Sequence, residues 1–321
     1  MRKLKNVSLI LGVFLFFIFQ SCSKDDSDAE GKKGAAAVKL TDAPVDNAEV
    51  KGVFVTVADV KIDGESHPGF KGKQTIDLMA YQNGNFETLA EGVLAAKSYS
   101  NVSLVLDLQS NAEGNGPGCY VLKKDGSKDT LSLNGESNAE IKLNHQFDLE
   151  SESQNDLIID FDLRKTITAK NGNYNFVAAN SLQSGLRIEN EKETGHVKGK
   201  FEDEPSDKET FVVYAYVKGN FNAETETQNN EEDELLFANA VTSAKVNSSG
   251  EYQLSFLEKG EYELTVAKYE QDTSGNATFT GVFNFSLSSE GNIFATNVVE
   301  VESGVSANID INLEGLVNLG L

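Results

Sequence analysis

The chain has 321 residues, of which 39% are hydrophobic and 24% are charged, as is typical of globular proteins and not of disordered ones. This length predicts two domains. A formal charge of −22 excludes nucleic acid and anionic lipid headgroups as expected partners, because such a surface repels them.

Residues 1–21 are predicted to be a secretory signal peptide. Arg2, Lys3 and Lys5 give a basic start, and the apolar run over residues 7–19 is shorter than the roughly 20 residues of a membrane-spanning helix. Removal of this segment also removes its three positive charges, which changes the formal charge from −22 to −25.

The end of the signal, Phe19-Gln20-Ser21-Cys22, resembles a bacterial lipobox. The resemblance implies cleavage between Ser21 and Cys22 and covalent lipid on Cys22. Several acyl chains hold a protein stably at a membrane, so the membrane is an expected partner through this anchor. The alternative is an ordinary signal peptide that happens to contain a cysteine. No other cofactor is predicted.

Residues 22–37 are predicted to form a flexible, lipidated tether. Its first residues, Ser23-Lys24-Asp25-Asp26, resemble the short acidic signal that sends lipoproteins of Bacteroidota-type bacteria to the outer face of the outer membrane. Lys24, Asp25 and Asp26 are therefore expected to be a surface-export signal. The alternative interpretation is a solvated linker.

Residues 38–190 are predicted to form a β-sandwich domain. Apolar side chains recur at every second position over residues 53–57, 102–108 and 157–163, as in strands with one face on a core. The best helical candidate is residues 86–96. Cys119 lies in a strand-like segment and has no disulfide partner if Cys22 carries lipid, so we interpret it as a small buried residue and not as a nucleophile.

Residues 195–315 are predicted to form a second β-sandwich, so the expected fold class is all-β with two sandwiches in tandem. Tyr214 and Tyr216 share one face of a strand, and the sequence leaves open whether that face is solvent-exposed or buried. Asn247-Ser248-Ser249-Gly250 is a turn signal. Residues 298–313 are interpreted as a closing hairpin.

Three stretches of the first block resemble an uncharacterised family found in surface lipoproteins, a domain of unknown function. They are VKLTDAPVDNAEVKGVFVTVADVKI (residues 38–62), TIDLMAYQNGNFETLAEGVLAAKSYSNVSLVLD (75–107) and LIIDFDLRKTI (157–167). The LTDAP and DFDLRK segments are the most specific, and Arg187 matches an arginine near the last strand of that family. Lys97 and Ser103 depart from its usual glycine and arginine. The resemblance implies a fold and no activity.

The second block is similar to carboxypeptidase-regulatory or transthyretin-like sandwiches. The similarity rests on VNSSGEYQLSFLEKGEYELTVAKY, residues 246–269. In this segment Gly250 and Gly260 allow tight reversals, and Tyr252 and Tyr262 anchor the strands that follow. Such modules are appended to enzymes and surface proteins, and some sandwiches of this shape bind carbohydrate, but fold does not imply function.

Few residues are candidates for catalysis or metal binding. His67, His145 and His196 are isolated in polar contexts, so no metal site is predicted. Asp160 and Asp162 share one strand face, which suits a glycosidase; the alternatives are a solvated face or an ion pair between Asp162 and Arg164. The acidic stretch 224–234 lacks the pattern of a calcium loop and is interpreted as a solvated loop.

The sequence therefore predicts a non-enzymatic, lipid-anchored protein of the outer membrane that is exposed at the cell surface and has a binding or structural accessory role. No nucleic acid partner is expected. Its expected partners are the membrane and a glycan or envelope-component ligand. The alternative hypothesis is a secreted surface hydrolase that acts on polysaccharide through a carboxylate site. An exposed aromatic platform would favour carbohydrate binding.

Overall fold

The period of two in the sequence appears as strands in the computed structural model, which describes residues 31–43, 50–133, 135–170, 172–201, 209–228, 235–271 and 277–317. Within these ranges the longest α-helix has six residues, and nearly all other regular structure is strand. The predicted all-β fold with two sandwiches in tandem is confirmed. Its physical basis is the alternation of buried and exposed positions, as over residues 139–143, where Ala139, Ile141 and Leu143 are buried and Glu140 and Lys142 are exposed.

The first sandwich contains β1 Lys33–Ala43, β2 Val50–Ile62, β3 Glu65–Ser66, β4 Gln74–Asp77, β5 Glu87–Ala95, β6 Ser98–Asp107, β7 Tyr120–Lys123, β8 Lys128–Thr130, β9 Asn138–Asp148, β10 Gln154–Asp162, β11 Ile167–Lys170, β12 Asn173–Phe176 and β13 Leu186–Asn190. Its helices are α1 Leu163–Thr166 and α2 Ala179–Ser184, with a 3-10 turn at Leu78–Ala80. One sheet has the order β13-β10-β1-β5 and the other β8-β7-β2-β6-β9. Strands β1 and β10 run parallel, and their other neighbours are antiparallel.

The second sandwich contains β14 Thr194–Lys200, β15 Glu209–Val217, β16 Thr242–Lys245, β17 Glu251–Glu258, β18 Gly260–Gln271, β19 Ala277–Ser289, β20 Asn292–Ile293, β21 Val298–Val301, β22 Ser306–Asn308 and β23 Asp310–Leu316, with the helix α3 Ala223–Glu226. One sheet has the order β17-β14-β22, in which β14 and β22 are parallel. The other has the order β16-β15-β18-β19-β20, with β21 beside β18 and β23 beside β19.

Each sandwich has its own apolar core. Between its two sheets the first sandwich buries a cluster that runs from Ala36 to Ile188 in the sequence, and the second buries one that runs from Val197 to Ile311. A smaller cluster lies around Tyr214 and Phe237 on the second sandwich. The described residues from Lys32 onward nevertheless form one compact unit, and the two sandwiches contact each other, for example through Lys165 and the carbonyl of Ala240.

The predicted tether ends earlier than the sequence suggests. Residues 33–37 belong to β1, where Ala36 and Ala37 are almost fully buried between β5 and β10. A side chain at Gly34 would come within 2.5 Å of the carbonyl oxygen of Glu150. Small residues are needed where strands and loops approach this closely, so the segment has the composition of a linker. Residues 22–30 lie outside the described residues.

The helical interpretation of residues 86–96 is wrong. This segment forms β5, which pairs along its length with β1, and Leu89 and Ala90 are buried. Gly92 packs against the backbone of Gly69 on the neighbouring loop. Good helix formers such as Leu and Ala take the strand conformation here because the tertiary pairing outweighs their intrinsic preference.

The predicted closing hairpin at residues 298–313 is also wrong. The strands on either side of Gly304 do not pair with each other: β21 pairs with β18, β22 with β14 and β23 with β19. The turn therefore carries the chain from one sheet of the sandwich to the other. A tight turn with positive φ at Gly304 permits this crossing as readily as it permits a hairpin.

The segment between the two predicted domains has regular structure. Only the 3-10 turn Glu191–Glu193 separates β13 from β14, and Thr194 is buried. The backbone N–H of Gly304 donates to the carbonyl of Thr194. Residues 189–195 carry no apolar side chain, yet they form the end of β13, the 3-10 turn and the start of β14 and are not a free linker.

Candidate functional site: a buried charge cluster between the sandwiches

Charged residues gather on the face of the first sandwich that turns away from its core. Along β10 the core takes every second residue as far as Phe161, so Asp160 and Asp162 lie together on the opposite face. Strand β13 places Arg187 beside Asp160, and α1 begins directly after Asp162. Both aspartates are about 5% exposed, so the solvated-face interpretation is wrong.

Each aspartate forms an ion pair with an arginine. Arg164 Nη2 lies 2.8 Å from Asp162 Oδ2, and Arg187 Nη2 lies 2.8 Å from Asp160 Oδ2. Asp162 also accepts a hydrogen bond from the backbone N–H of Arg164 and so caps α1. The predicted pairing of Asp162 with Arg164 is confirmed. Lys165 adds a third positive charge, with Nζ 3.7 Å from Asp162.

The same three basic side chains donate to backbone carbonyls of the second sandwich. Lys165 Nζ donates to the carbonyl of Ala240 at 2.7 Å, and Arg164 Nη1 to that of Phe237 at 3.4 Å. Arg187 Nη1 donates to the carbonyl of Phe256. Hydrogen bonds from charged donors are stronger than neutral ones, so the pairs fix the second sandwich against the first.

Asp42 supplies a third carboxyl group beside this face. Gln82 Nε2 donates to Asp42 Oδ2 at 3.0 Å, while Oδ1 has no hydrogen-bond partner among the described residues. Burial, reinforced by the charges of Asp160 and Asp162, raises the pKa of Asp42 well above its ordinary value. We call Asp42, Asp160, Asp162, Arg164, Lys165 and Arg187 the charge cluster.

The pKa directions in the charge cluster follow from burial. Desolvation raises the pKa of Asp160, and the neighbouring Arg187 opposes that rise. Desolvation lowers the pKa of Lys165, against the attraction of Asp162. A glycosidase needs carboxyl groups that reach its substrate. Here Asp160 and Asp162 are buried and bound to guanidinium groups, an arrangement that suits orientation of a partner surface and not hydrolysis.

The second sandwich meets the cluster with an aromatic surface. Tyr214 and Tyr216 are fully buried, so the exposed alternative for this face is wrong and the buried alternative is right. The ring of Tyr214 stacks on Phe237 at 4.2 Å, and the guanidinium of Arg164 lies 5.0 Å from the Tyr214 ring. This cation–π contact joins the two sandwiches.

The acidic stretch 224–234 is only partly described, since residues 229–234 lie outside the described ranges. Within it, Glu226 is 2% exposed, which corrects the solvated interpretation at that position. Its carboxylate accepts hydrogen bonds from Tyr216 Oη at 2.8 Å and from Asn239. Glu226 is therefore a structural acceptor behind the aromatic surface.

The three histidines occupy separate elements. His67 follows β3 and is 2% exposed, and its Nδ1 accepts from the N–H of Gly69 at 3.0 Å. His145 lies in β9 and His196 in β14. In all three, burial lowers the pKa. The described residues contain no group of three or more His, Cys, Asp or Glu side chains that could hold a metal ion.

Cys119 is a fully buried residue just before β7, as interpreted from the sequence. Its Sγ accepts from the N–H of Thr56 at 3.4 Å. Burial raises the pKa of the thiol to about 12, which leaves almost no thiolate at neutral pH. A nucleophilic role therefore has no support.

The residues of the predicted anchor and export signal, Ser21, Cys22, Lys24, Asp25 and Asp26, lie outside the described residues. In the part of the chain that is described, no helix is long and apolar enough to cross a membrane.

The sequence missed three members of the site. Asp42 and Lys165 lie inside the LTDAP and DFDLRK segments, but their chemistry depends on burial that local patterns do not reveal. Arg187 was noted only as a match to the family. The carbonyls that Lys165 and Arg187 contact, those of Ala240 and Phe256, are about 70 residues further along the chain.

Solved structures show only weak similarity to the chain. The Bacillus anthracis TIE protein is 12% identical with a TM-score of 0.18, covering 88% of this chain and 34% of that protein. The major pilin subunit BcpA of Bacillus cereus is 10% identical with a TM-score of 0.19, covering 88% and 70%. The major pilin of Streptococcus pyogenes is 9% identical with a TM-score of 0.17, covering 89% and 99%. At these TM-scores the similarity carries no inference about function.

Comparison with curated proteins finds no match. Comparison with protein families confirms that the first block resembles a domain of unknown function. Residues 33–178, just under half of the chain, match the family described as Domain of unknown function (DUF4382), and the matched region contains every residue of the charge cluster except Arg187.

Proposed function

We propose that the protein is a non-enzymatic, lipid-anchored protein of the outer cell surface with a binding or structural accessory role. In this proposal Cys22 carries the lipid, Lys24, Asp25 and Asp26 direct export, and the two sandwiches act as one rigid body. The second sandwich serves as an appended module of the carboxypeptidase-regulatory or transthyretin-like kind. The expected partners are the membrane and a glycan or protein of the cell envelope.

The proposal rests on the contacts that the basic side chains of the charge cluster make. Its arginines and Lys165 bind buried aspartates on one side and carbonyls of the second sandwich on the other. These groups therefore hold two modules together and are not presented to a substrate. The rival hypothesis, a hydrolase that uses Asp160 and Asp162, requires carboxyl groups that a polysaccharide can reach, and it has no support from their burial.

The test uses two variants of the full chain in the native cell. Cys22→Ser should abolish lipid labelling and release the protein from the membrane fraction, because acyl chains supply nearly all of the membrane affinity. Replacement of Lys24, Asp25 and Asp26 by alanine should preserve lipid labelling and protect the protein from protease added to intact cells. Retention of Cys22→Ser in the membrane fraction would refute the anchor, and equal proteolysis of the triple variant and the wild type would refute the export signal.

A further inference from the structure

The first sandwich has an open cleft where its two sheets end. Strand β9 is at the edge of one sheet and β13 is at the edge of the other. The space between them has a volume of about 400 Å³, within the range of small-molecule sites. We call it the β9–β13 cleft. Its lining includes Tyr99, His145, Phe147, Asn155, Asn190 and Glu193.

A β-bulge shapes the wall of the cleft. In the pairing of β6 with β9, Tyr99 lies opposite Phe147 and Asn101 lies opposite Asn144. One residue on β6 is therefore matched by two on β9, His145 and the residue after it. Bulges of this kind redirect side chains and are common beside binding sites. Here the bulge places His145 in the lining of the cleft.

The cleft has an unsatisfied acceptor beside aromatic side chains. The rings of Tyr99 and Phe147, which are 6% and 7% exposed and belong to the core, stack at 5.1 Å, and the His145 ring lies 6.3 Å from that of Phe147. Asn155 is 7% exposed, and its Oδ1 has no hydrogen-bond partner among the described residues. Its Nδ2 already donates to the carbonyl of Asp148 at 3.4 Å. A buried acceptor without a partner is costly, so a ligand with a hydroxyl donor would be stabilised there.

The charges of the cleft disfavour anionic ligands. Asp148 and Glu193 contribute carboxyl groups to the lining, whereas Lys97, whose Nζ lies 4.6 Å from the Tyr99 ring, is not part of it. Anions are disfavoured in such a site and throughout a chain of charge −22. The amide and carboxylate acceptors of the lining match an uncharged ligand that carries several hydroxyl groups.

We propose that the β9–β13 cleft binds a neutral sugar ring, with a sugar hydroxyl donating to Asn155 Oδ1 and other hydroxyls bonding to Asn190 and Glu193. This inference names a ligand class for the proposed accessory role and rests on that role. The two can fail separately, because sugar binding is measured on the purified full-length protein and the anchor is measured in cells.

The experiment is saturation-transfer-difference NMR with the full-length protein and four probes. These are methyl β-D-glucopyranoside, methyl β-D-galactopyranoside, methyl α-D-mannopyranoside and D-glucuronate. We expect transfer to at least one neutral glycoside and none to glucuronate. Asn155→Ala should weaken binding by about tenfold, the change that the loss of one good hydrogen bond brings.

Two further variants make the test specific. Glu193→Gln should also weaken binding while it preserves the shape of the side chain, and thermal melts of each variant would identify a loss of folding. Asn144→Ala is the control, since Asn144 is exposed on β9 next to His145 but does not line the cleft. Three results would overturn the proposal: no binding of any neutral probe, equal binding by the Asn155→Ala and Glu193→Gln proteins, or binding of glucuronate as strong as that of the neutral glycosides.

Discussion

The side chain of Arg164 contacts residues of both sandwiches. It pairs with Asp162 in its own sandwich, donates to the carbonyl of Phe237 in the other, and lies over the ring of Tyr214. The pairing with Asp162 could be predicted, since the two residues are two positions apart. The contacts with Phe237 and Tyr214 could not, because no local pattern reports which surface will cover a strand face.

Arg164→Met is expected to destabilise the protein by about 3 kcal/mol, because it leaves the buried carboxylate of Asp162 without its main partner. The measurement is the free energy of unfolding in urea. Lys218→Met is the matched control: Lys218 pairs with Glu261 at 2.9 Å, but both side chains are about half exposed. Its expected effect is below about 0.5 kcal/mol. Equal effects of the two changes would contradict the role assigned to the charge cluster.

Glu189 predicts a pH dependence of stability. Burial, together with the nearby carboxyl group of Glu258, raises its pKa to about 7 despite the attraction of Arg187. The folded state then holds a proton that the unfolded state releases at lower pH. Stability from this group is therefore complete below the ordinary pKa of 4.5 and is lost as the pH rises toward 7.

The Glu189→Gln variant should accordingly show a smaller fall in melting temperature than the wild type between about pH 5 and about pH 8. Glu261→Gln, at an exposed position, should leave the pH profile of the wild type unchanged. Superimposable profiles for Glu189→Gln and the wild type would show that Glu189 titrates alike in the folded and unfolded states.

At the scale of elements, the strands rich in β-branched residues could be predicted and those made of small residues could not. Alternation of Val and Leu identified β2, β6 and β10 because large apolar side chains mark the buried face. In β1 the buried face is made by Ala36 and Val38 next to Gly34, and in β5 by Leu89 and Ala90. The small residues Gly34, Ala36 and Ala37 of β1 resemble a linker in sequence, and Leu89 and Ala90 of β5 are good helix formers.

Strand β18 provides a test of register. Tyr262 is 5% exposed within the core of the second sandwich, whereas Glu261 points to solvent. Tyr262→Ala removes a large buried ring and should cost about 3–5 kcal/mol, while Glu261→Ala should change stability by less than about 0.5 kcal/mol. Thermal melts of the two variants measure this. A larger loss from Glu261→Ala would mean that the register of β18 is inverted.

For the whole molecule, the question is whether the second sandwich depends on the first. Its apolar clusters are formed from its own residues. The charge cluster contacts it through hydrogen bonds to carbonyls, which water can replace, and through the cation–π contact between Arg164 and Tyr214. We therefore expect the fragment 194–321 to fold alone and to melt cooperatively, at a lower temperature than the full chain. A fragment without a cooperative transition would show that residues 38–190 and 195–315 are not independent domains.

The two parallel strand pairs have a consequence for the order of folding. In each sandwich the first strand pairs with a late one: β1 with β10 and β14 with β22. Lys39 and Asp156, which join β1 and β10, are 117 residues apart in sequence. Contacts between residues this far apart in sequence form slowly, because the chain loses the entropy of closing a long loop before any stabilising contact forms. Neither sandwich can therefore be completed until nearly all of its residues are available, and a chain that emerges gradually from its N-terminus stays open until the last strands arrive.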